Sequence, residues 1–98
     1  MKTILTMAVF LLGTALATTA WAKDDPAAGA QLYATNCTAC HGADRAGVAG
    51  AFPALTDVGQ RLNAAQIKGK IRNGGGLMPP FPQLSQQDVD NIASFLAQ

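Results

Sequence analysis

Between residues 23 and 98 the sequence has no tryptophan, one histidine (His41), one methionine (Met78) and two cysteines (Cys37 and Cys40). All thiols and the imidazole fall within the stretch 37–41, so no further Cys or His is left to complete a closed four-ligand zinc site. A multi-disulfide scaffold is excluded for the same reason. There is no period-2 alternation, no internal repeat and no low-complexity tract, which removes sheet and repeat architectures. The segment carries six basic residues (Lys23, Arg45, Arg61, Lys68, Lys70, Arg72) and six aspartates (Asp24, Asp25, Asp44, Asp57, Asp88, Asp90), for a net charge of zero. Nucleic acid calls for a clearly basic face and is excluded as a partner. Gly74-Gly75-Gly76 has no Lys-Ser/Thr behind it and no strand pattern before it, so it is not a phosphate loop.

The long apolar run lies at the start. Lys2 precedes Ile4–Ala17, and Ala20-Trp21-Ala22 has the small-x-small form of a signal-peptidase site. We expect a signal peptide over 1–22, cleaved after Ala22, with export to the periplasm. The other reading is an uncleaved anchor, since Ile4–Ala22 approaches the roughly 20 residues of a spanning helix. The short strongly apolar part and the missing basic stop-transfer cluster favour cleavage. The remaining domain, 23–98, is of a size at which an apolar core alone supplies only about 3–5 kcal/mol. It needs an additional staple.

Asp25-Pro26 reads as an N-cap followed by proline at the first helical position, opening a helix through Asn36. Gly29 and Tyr33 lie four apart on it, and a glycine on the buried side would admit another helix closely. Residues 42–58 read as loop. Asn63-Ala-Ala-Gln66 is a capping-box pattern before Ile67 and Ile71, with Asn73-Gly74 as the stop. Ser85-Gln-Gln-Asp88 repeats that logic before Val89, Ile92, Phe95 and Leu96 at helical spacing. Three helices result, joined by loops that hold many large apolar residues and so need something apolar to fold around.

Cys37-Thr-Ala-Cys40-His41 admits four readings. A disulfide between i and i+3 would constrain the unfolded chain little and leaves His41 unexplained. A thioredoxin-like pair sits in a βαβ context, and zinc needs a fourth ligand. Covalent haem attachment takes C-x-x-C-H as its pattern. On a helical turn, i and i+3 put both sulfurs on one side for thioethers, and i+4 aims the imidazole at the iron. A second axial ligand would have to come from further on. Met78 lies in a Gly/Pro-rich loop where Pro79-Pro80 restricts the backbone, a poor place for core filler.

These residues carry a family resemblance. GAQLYATNCTACHG, FPAL, IRNGGGLMPPF and LSQQDVDNIASFL occur in the order found in small class I c-type cytochromes, and the chain resembles the short bacterial and cytochrome c6-like forms. The resemblance implies an all-α cytochrome c fold with three or more helices around one covalently attached haem c. It implies thioethers at Cys37 and Cys40, axial ligation by His41 and Met78, and a hydrogen bond from His41 Nδ1 to the Pro53 carbonyl. Gly29 and Tyr33 resemble positions that pack across the C-terminal helix, with Phe95 as partner. Many relatives use a tryptophan on a haem propionate; here Trp21 falls in the leader, which leaves Arg45, Gln60, Arg61 and Asn73 as candidates.

With both axial positions filled, the iron can only cycle between Fe(III) and Fe(II). Val48, Phe52, Leu55, Ile67, Ile71, Leu77, Phe81 and Leu84 are expected to exclude water from it. The expected function is a monomeric one-electron carrier, not an enzyme, that docks briefly with redox-partner proteins and is not inserted in a membrane after cleavage. The alternative is a ligand-binding sensor or peroxidase-like haem protein with an open sixth position. Residues 45–72 hold five cations against Asp57, which either orients the domain toward an acidic partner or is a solvated helix face.

Overall fold

The computed structural model describes residues 23–98 and the isolated Gly13; the expected leader, 1–22, lies outside the described residues but for that glycine. Five helices follow in order: α1 (Pro26–Asn36), α2 (Thr38–His41), α3 (Val58–Arg61), α4 (Ala64–Asn73) and α5 (Gln86–Leu96). The described residues contain no strand, only isolated bridges between Val48 and Phe52 and between Gly75 and Met78. No described helix is long and apolar enough to cross a membrane.

Helix ends follow the local chemistry. The Asp25 side chain accepts from the Ala27 and Ala28 amides, with Pro26 opening α1. Asn63 and Gln66 form a reciprocal capping box on α4, and Ser85 and Asp88 another on α5. Each satisfies amides that the first turn cannot, and an N-cap of this kind is worth about 1 kcal/mol. Short α2 and α3 have no side-chain cap.

The main helix pairing is α1 across α5, with α4 also packed on α5. Gly29 permits the first crossing: a Cβ there would overlap the Asn91 carbonyl oxygen. One turn on, the Tyr33 and Phe95 rings meet at 5.5 Å and 56°, a tilted geometry favoured by the ring quadrupoles. Asn91, buried in the seam, accepts from the Asp25 amide at 2.9 Å and from Gln87 at 2.8 Å. Tyr33, Val58, Ile67, Ile71, Val89, Ile92, Ala93 and Leu96 form the core, and Lys68 bridges to Asp90 at 2.9 Å between α4 and α5.

Two expectations are corrected. Val48, assigned to water exclusion, is 52% exposed and lines neither cavity beside Cys37 and Met78, whereas Leu77, at 77% exposure, does line the one beside Cys40 and Met78. Val48 sits at a tight turn closed by an isolated bridge to Phe52. The loop reading of 42–58 also runs into α3 at Val58, which is buried in the core.

Replacing Gly29 with valine should destabilise the haem-loaded protein by about 1–3 kcal/mol or more, the usual cost of overpacking. Gly69, in α4, has nothing within 4 Å of a built Cβ, so Gly69→Ala should instead stabilise by about 0.5–1 kcal/mol. Thermal unfolding of the two variants checks the contrast.

Candidate functional site

The sequence Cys37–Gly42 folds as one helical turn placed directly against α1. Cys37 ends α1 by donating its amide to the Tyr33 carbonyl at 2.8 Å and opens α2 by accepting from the His41 amide at 2.9 Å. Thr38 Oγ1 donates back to the Ala34 carbonyl at 2.8 Å. The stretch is thus locked to the α1–α5 scaffold. After it the chain reverses at Gly42, with φ of 82°, in a left-handed conformation that suits glycine. The Tyr33 hydroxyl donates to the Gly42 carbonyl at 2.7 Å, and burial raises the Tyr33 pKa above its ordinary value.

His41 is buried, at 9% exposure. Its Nδ1 lies 2.9 Å from the Pro53 carbonyl oxygen, the contact expected from the sequence. A carbonyl can only accept, so the proton sits on Nδ1 and the Nε2 lone pair is available to a ligand. The loop is held to this by close approach. A Cβ on Gly47 would overlap the Phe52 carbonyl oxygen, and Gly47 has a φ of 68°. Its amide donates to the His41 carbonyl at 2.8 Å, Val48 and Phe52 exchange hydrogen bonds, and the Leu55 amide donates to the Arg45 carbonyl at 2.7 Å.

Met78 comes from the other side of the sequence. Gly75 and Met78 pair through hydrogen bonds of 2.9 and 3.0 Å, and the Phe81 amide donates to the Ile71 carbonyl at 3.2 Å, pinning the loop to α4. Gly74, with φ of 66°, leaves no room for a Cβ beside the Met78 carbonyl.

These segments enclose two cavities of about 370 and 420 Å³, within the usual range for a bound small molecule. Cys37, His41, Pro53, Lys70 and Met78 line both, so the cavities are lobes of one cleft with those residues at the junction. Cys40, Phe52 and Phe81 line the first lobe; Leu55, Ile67 and Ile71 line the second. The fold therefore brings Cys37, Cys40, His41 and Met78 to one apolar cleft. A flat apolar group held in this cleft would have an imidazole, a thioether and two cysteines among the residues around it. The donor set fits haem c.

The competing readings lose ground on the same geometry. No group of three or more His, Cys, Asp and Glu side chains converges as a metal site among the described residues. Burial, and secondarily Cys40, push the Cys37 thiol up to about 11. A redox-active cysteine requires the opposite shift.

Of the four residues considered for a haem carboxylate, only Arg61 lines the cleft. The Arg45 guanidinium instead lies 5.1 Å from the Phe95 ring centroid, a cation–π contact worth about 0.5–2 kcal/mol. Its backbone φ of 64° turns it toward α5. Sequence reading missed Lys70 and Gln66 as cleft residues. Their positions relative to Ile67 and Ile71, one turn or less away on α4, were the available signal.

The profile of the family described as "Cytochrome C oxidase, cbb3-type, subunit III" matches residues 24–96. A cytochrome c6 of Picosynechococcus sp. is 34% identical over 110 aligned positions, covering 99% of this chain and 93% of that protein. Cytochrome c-550 of Bacillus subtilis is 46% identical over 57 residues, 58% of this chain and 46% of the relative, so the chain spans about half of that protein's length. Among solved structures, cytochrome c6 from the diatom Phaeodactylum tricornutum superposes with a TM-score of 0.64 at 29% identity, over 74% of this chain and 91% of that one. Helical fold, CxxCH turn, cleft and similarity over nearly the whole chain agree: the protein belongs to the cytochrome c family and is a small class I c-type cytochrome.

Proposed function

We propose that the protein is a one-electron carrier, not an enzyme, built on a single haem c that Cys37 and Cys40 hold through thioethers and that His41 and Met78 ligate. The observation that carries this reading is the convergence of those four side chains on one apolar cleft. When bound, the haem supplies a reversible Fe(III)/Fe(II) couple, and Met/His ligation raises its reduction potential.

The chain's own residues perform the rest. The Pro53 carbonyl holds the His41 ring in one tautomer and orientation. The paired turn at Gly75–Met78 and the following Pro79-Pro80 limit how far the Met78 thioether can wander. Phe52, Leu55, Ile67, Ile71 and Phe81 line the cleft with apolar surface, which keeps water out and disfavours the more highly charged ferric state. Covalent attachment prevents loss of the group after export and supplies the staple that a domain of this size needs.

Export to the periplasm by the leader 1–22 and a monomer docking briefly with donor and acceptor complete the reading. The relatives support that role. Cytochromes c6 resemble the chain over nearly its whole length, and an oxidase subunit, CcoP of Rubrivivax gelatinosus, is 40% identical over 84 residues, 27% of its own length.

The oxidised protein should show a low-spin spectrum with a weak far-red sulfur-to-iron band, and its ferrous form should not bind carbon monoxide. Met78→Ala should abolish the band, open the sixth position to carbon monoxide and lower the reduction potential. Carbon monoxide binding by the wild type would favour the sensor or peroxidase-like reading instead. Replacing both Cys37 and Cys40 with serine should let acid–acetone extract the haem completely, whereas the wild type should retain it. Haem extracted equally from both would overturn the thioether assignment.

A further inference from the structure

Arg45 sits where glycine is the easier choice. Its φ is 64°, and among the described residues no other non-glycine has a positive φ. For a residue with a β-carbon that conformation carries a steric cost. The side chain carries a second one. Arg45 is half-buried, and its Nη1 is buried with no hydrogen-bond partner among the described residues, which leaves a charged donor undersatisfied. The ion pairs of the described residues join Arg61 to Asp57 and Lys68 to Asp90 and do not include it. The neighbouring Asp44 carboxylate accepts from the Ala46 amide at 3.0 Å instead. What the guanidinium meets is the Phe95 ring, 5.1 Å from its centroid.

Both costs fall on a residue that ties the proximal loop together. The Arg45 amide donates to the carbonyl of Gly42, one residue past His41, at 3.1 Å, and the Arg45 carbonyl accepts from the Leu55 amide at 2.7 Å. Leu55 lies two residues beyond Pro53, whose carbonyl oxygen is 2.9 Å from His41 Nδ1. Arg45 is therefore bonded through its main chain to both arms of the loop that closes on the imidazole, and its side chain joins that loop to α5. Phe95 is a firm anchor, since its ring also meets Tyr33 of α1 at 5.5 Å. Glycine at position 45 would relieve the backbone cost but would carry nothing to reach α5.

We infer that Arg45 is a positioning residue for His41: stacked on Phe95, it holds the 42–55 loop against α5 so that the Pro53 carbonyl stays on Nδ1. Arg45 lines neither lobe of the cleft, so it acts through the loop and not on the bound group. The inference rests on the haem reading, in which His41 is the proximal ligand.

The test follows the His41 Nδ1 proton by ¹⁵N-resolved NMR in the haem-loaded, reduced protein, whose low-spin ferrous iron is diamagnetic. Wild type is compared with R45G, R45Q, R45K, F95L and the R45Q/F95L double variant, and the global stability of each is measured by thermal unfolding. Losing the cation–π contact should speed solvent exchange of that proton about tenfold in R45G and R45Q, by more than any change in global stability accounts for. R45K, which keeps a cation for the ring, should recover part of the protection. F95L should act in the same direction, and adding R45Q to it should have no further effect. Wild-type exchange in R45G and R45Q overturns the assignment, and so do additive effects of R45Q and F95L. Faster exchange matched in every variant by an equal fall in global stability overturns it as well, because Arg45 would then support the whole fold and not the ligand. If F95L does not fold, R45K decides: exchange as fast as in R45Q overturns the assignment, and slower exchange supports it. A wild type whose mass lacks covalent haem overturns the haem reading and this inference together. Haem-loaded protein insensitive at position 45 overturns the inference alone.

Discussion

The hydrogen bond from His41 Nδ1 to the Pro53 carbonyl, at 2.9 Å, is the constraint around which the site is arranged. It selects which imidazole nitrogen faces the cleft and fixes the plane of the ring. The carbonyl can serve only if the 42–55 loop returns to the CxxCH turn, and several features act to that end. Gly42 and Gly47 adopt left-handed backbone, the Gly47 amide returns to the His41 carbonyl, and the Leu55 amide reaches Arg45. Close packing at Gly47 leaves no space for a side chain against Phe52 and Pro53.

That loop would be a weak structure without the helices beneath it. α1 and α5 cross where Gly29 removes a side chain, and Tyr33 serves both sides of the crossing. Its ring packs on Phe95 and its hydroxyl holds Gly42. Arg45 covers Phe95 from the loop, so a single aromatic on α5 receives α1 and the proximal loop together. Helix packing and ligand orientation are therefore coupled through three side chains. The distal side is built more simply, by a glycine-bordered turn pinned to α4.

Helix starts were legible wherever a side chain does the capping. Asp25, Asn63 and Ser85 each satisfy amides within three residues of themselves, and such contacts are local enough to read along the chain. α3 was not legible. Val58–Arg61 has no side-chain cap, and so short a turn has almost no helical tendency of its own; Val58 reaching the core makes it form. Apolar character likewise failed to separate Ile67 and Ile71, which are buried, from Val48, which is exposed. Periodicity on a helix specifies a face, whereas in a loop only the path of the backbone does.

The sequence by itself determined the chemistry available: one CxxCH turn, one later methionine, capped helices and a glycine where helices cross. These depend on residue identity and on spacings of three or four positions. Tertiary structure alone decided where the charged side chains go. Arg45 and Arg61 were equivalent in sequence as partners for a carboxylate, yet one stacks on Phe95 and the other is tied by Asp57 and Ala54 at the cleft. The physical reason is that a long cationic side chain takes its direction from distant acceptors and ring faces. Those are placed only when the 42–61 segment folds back on α2 and α5.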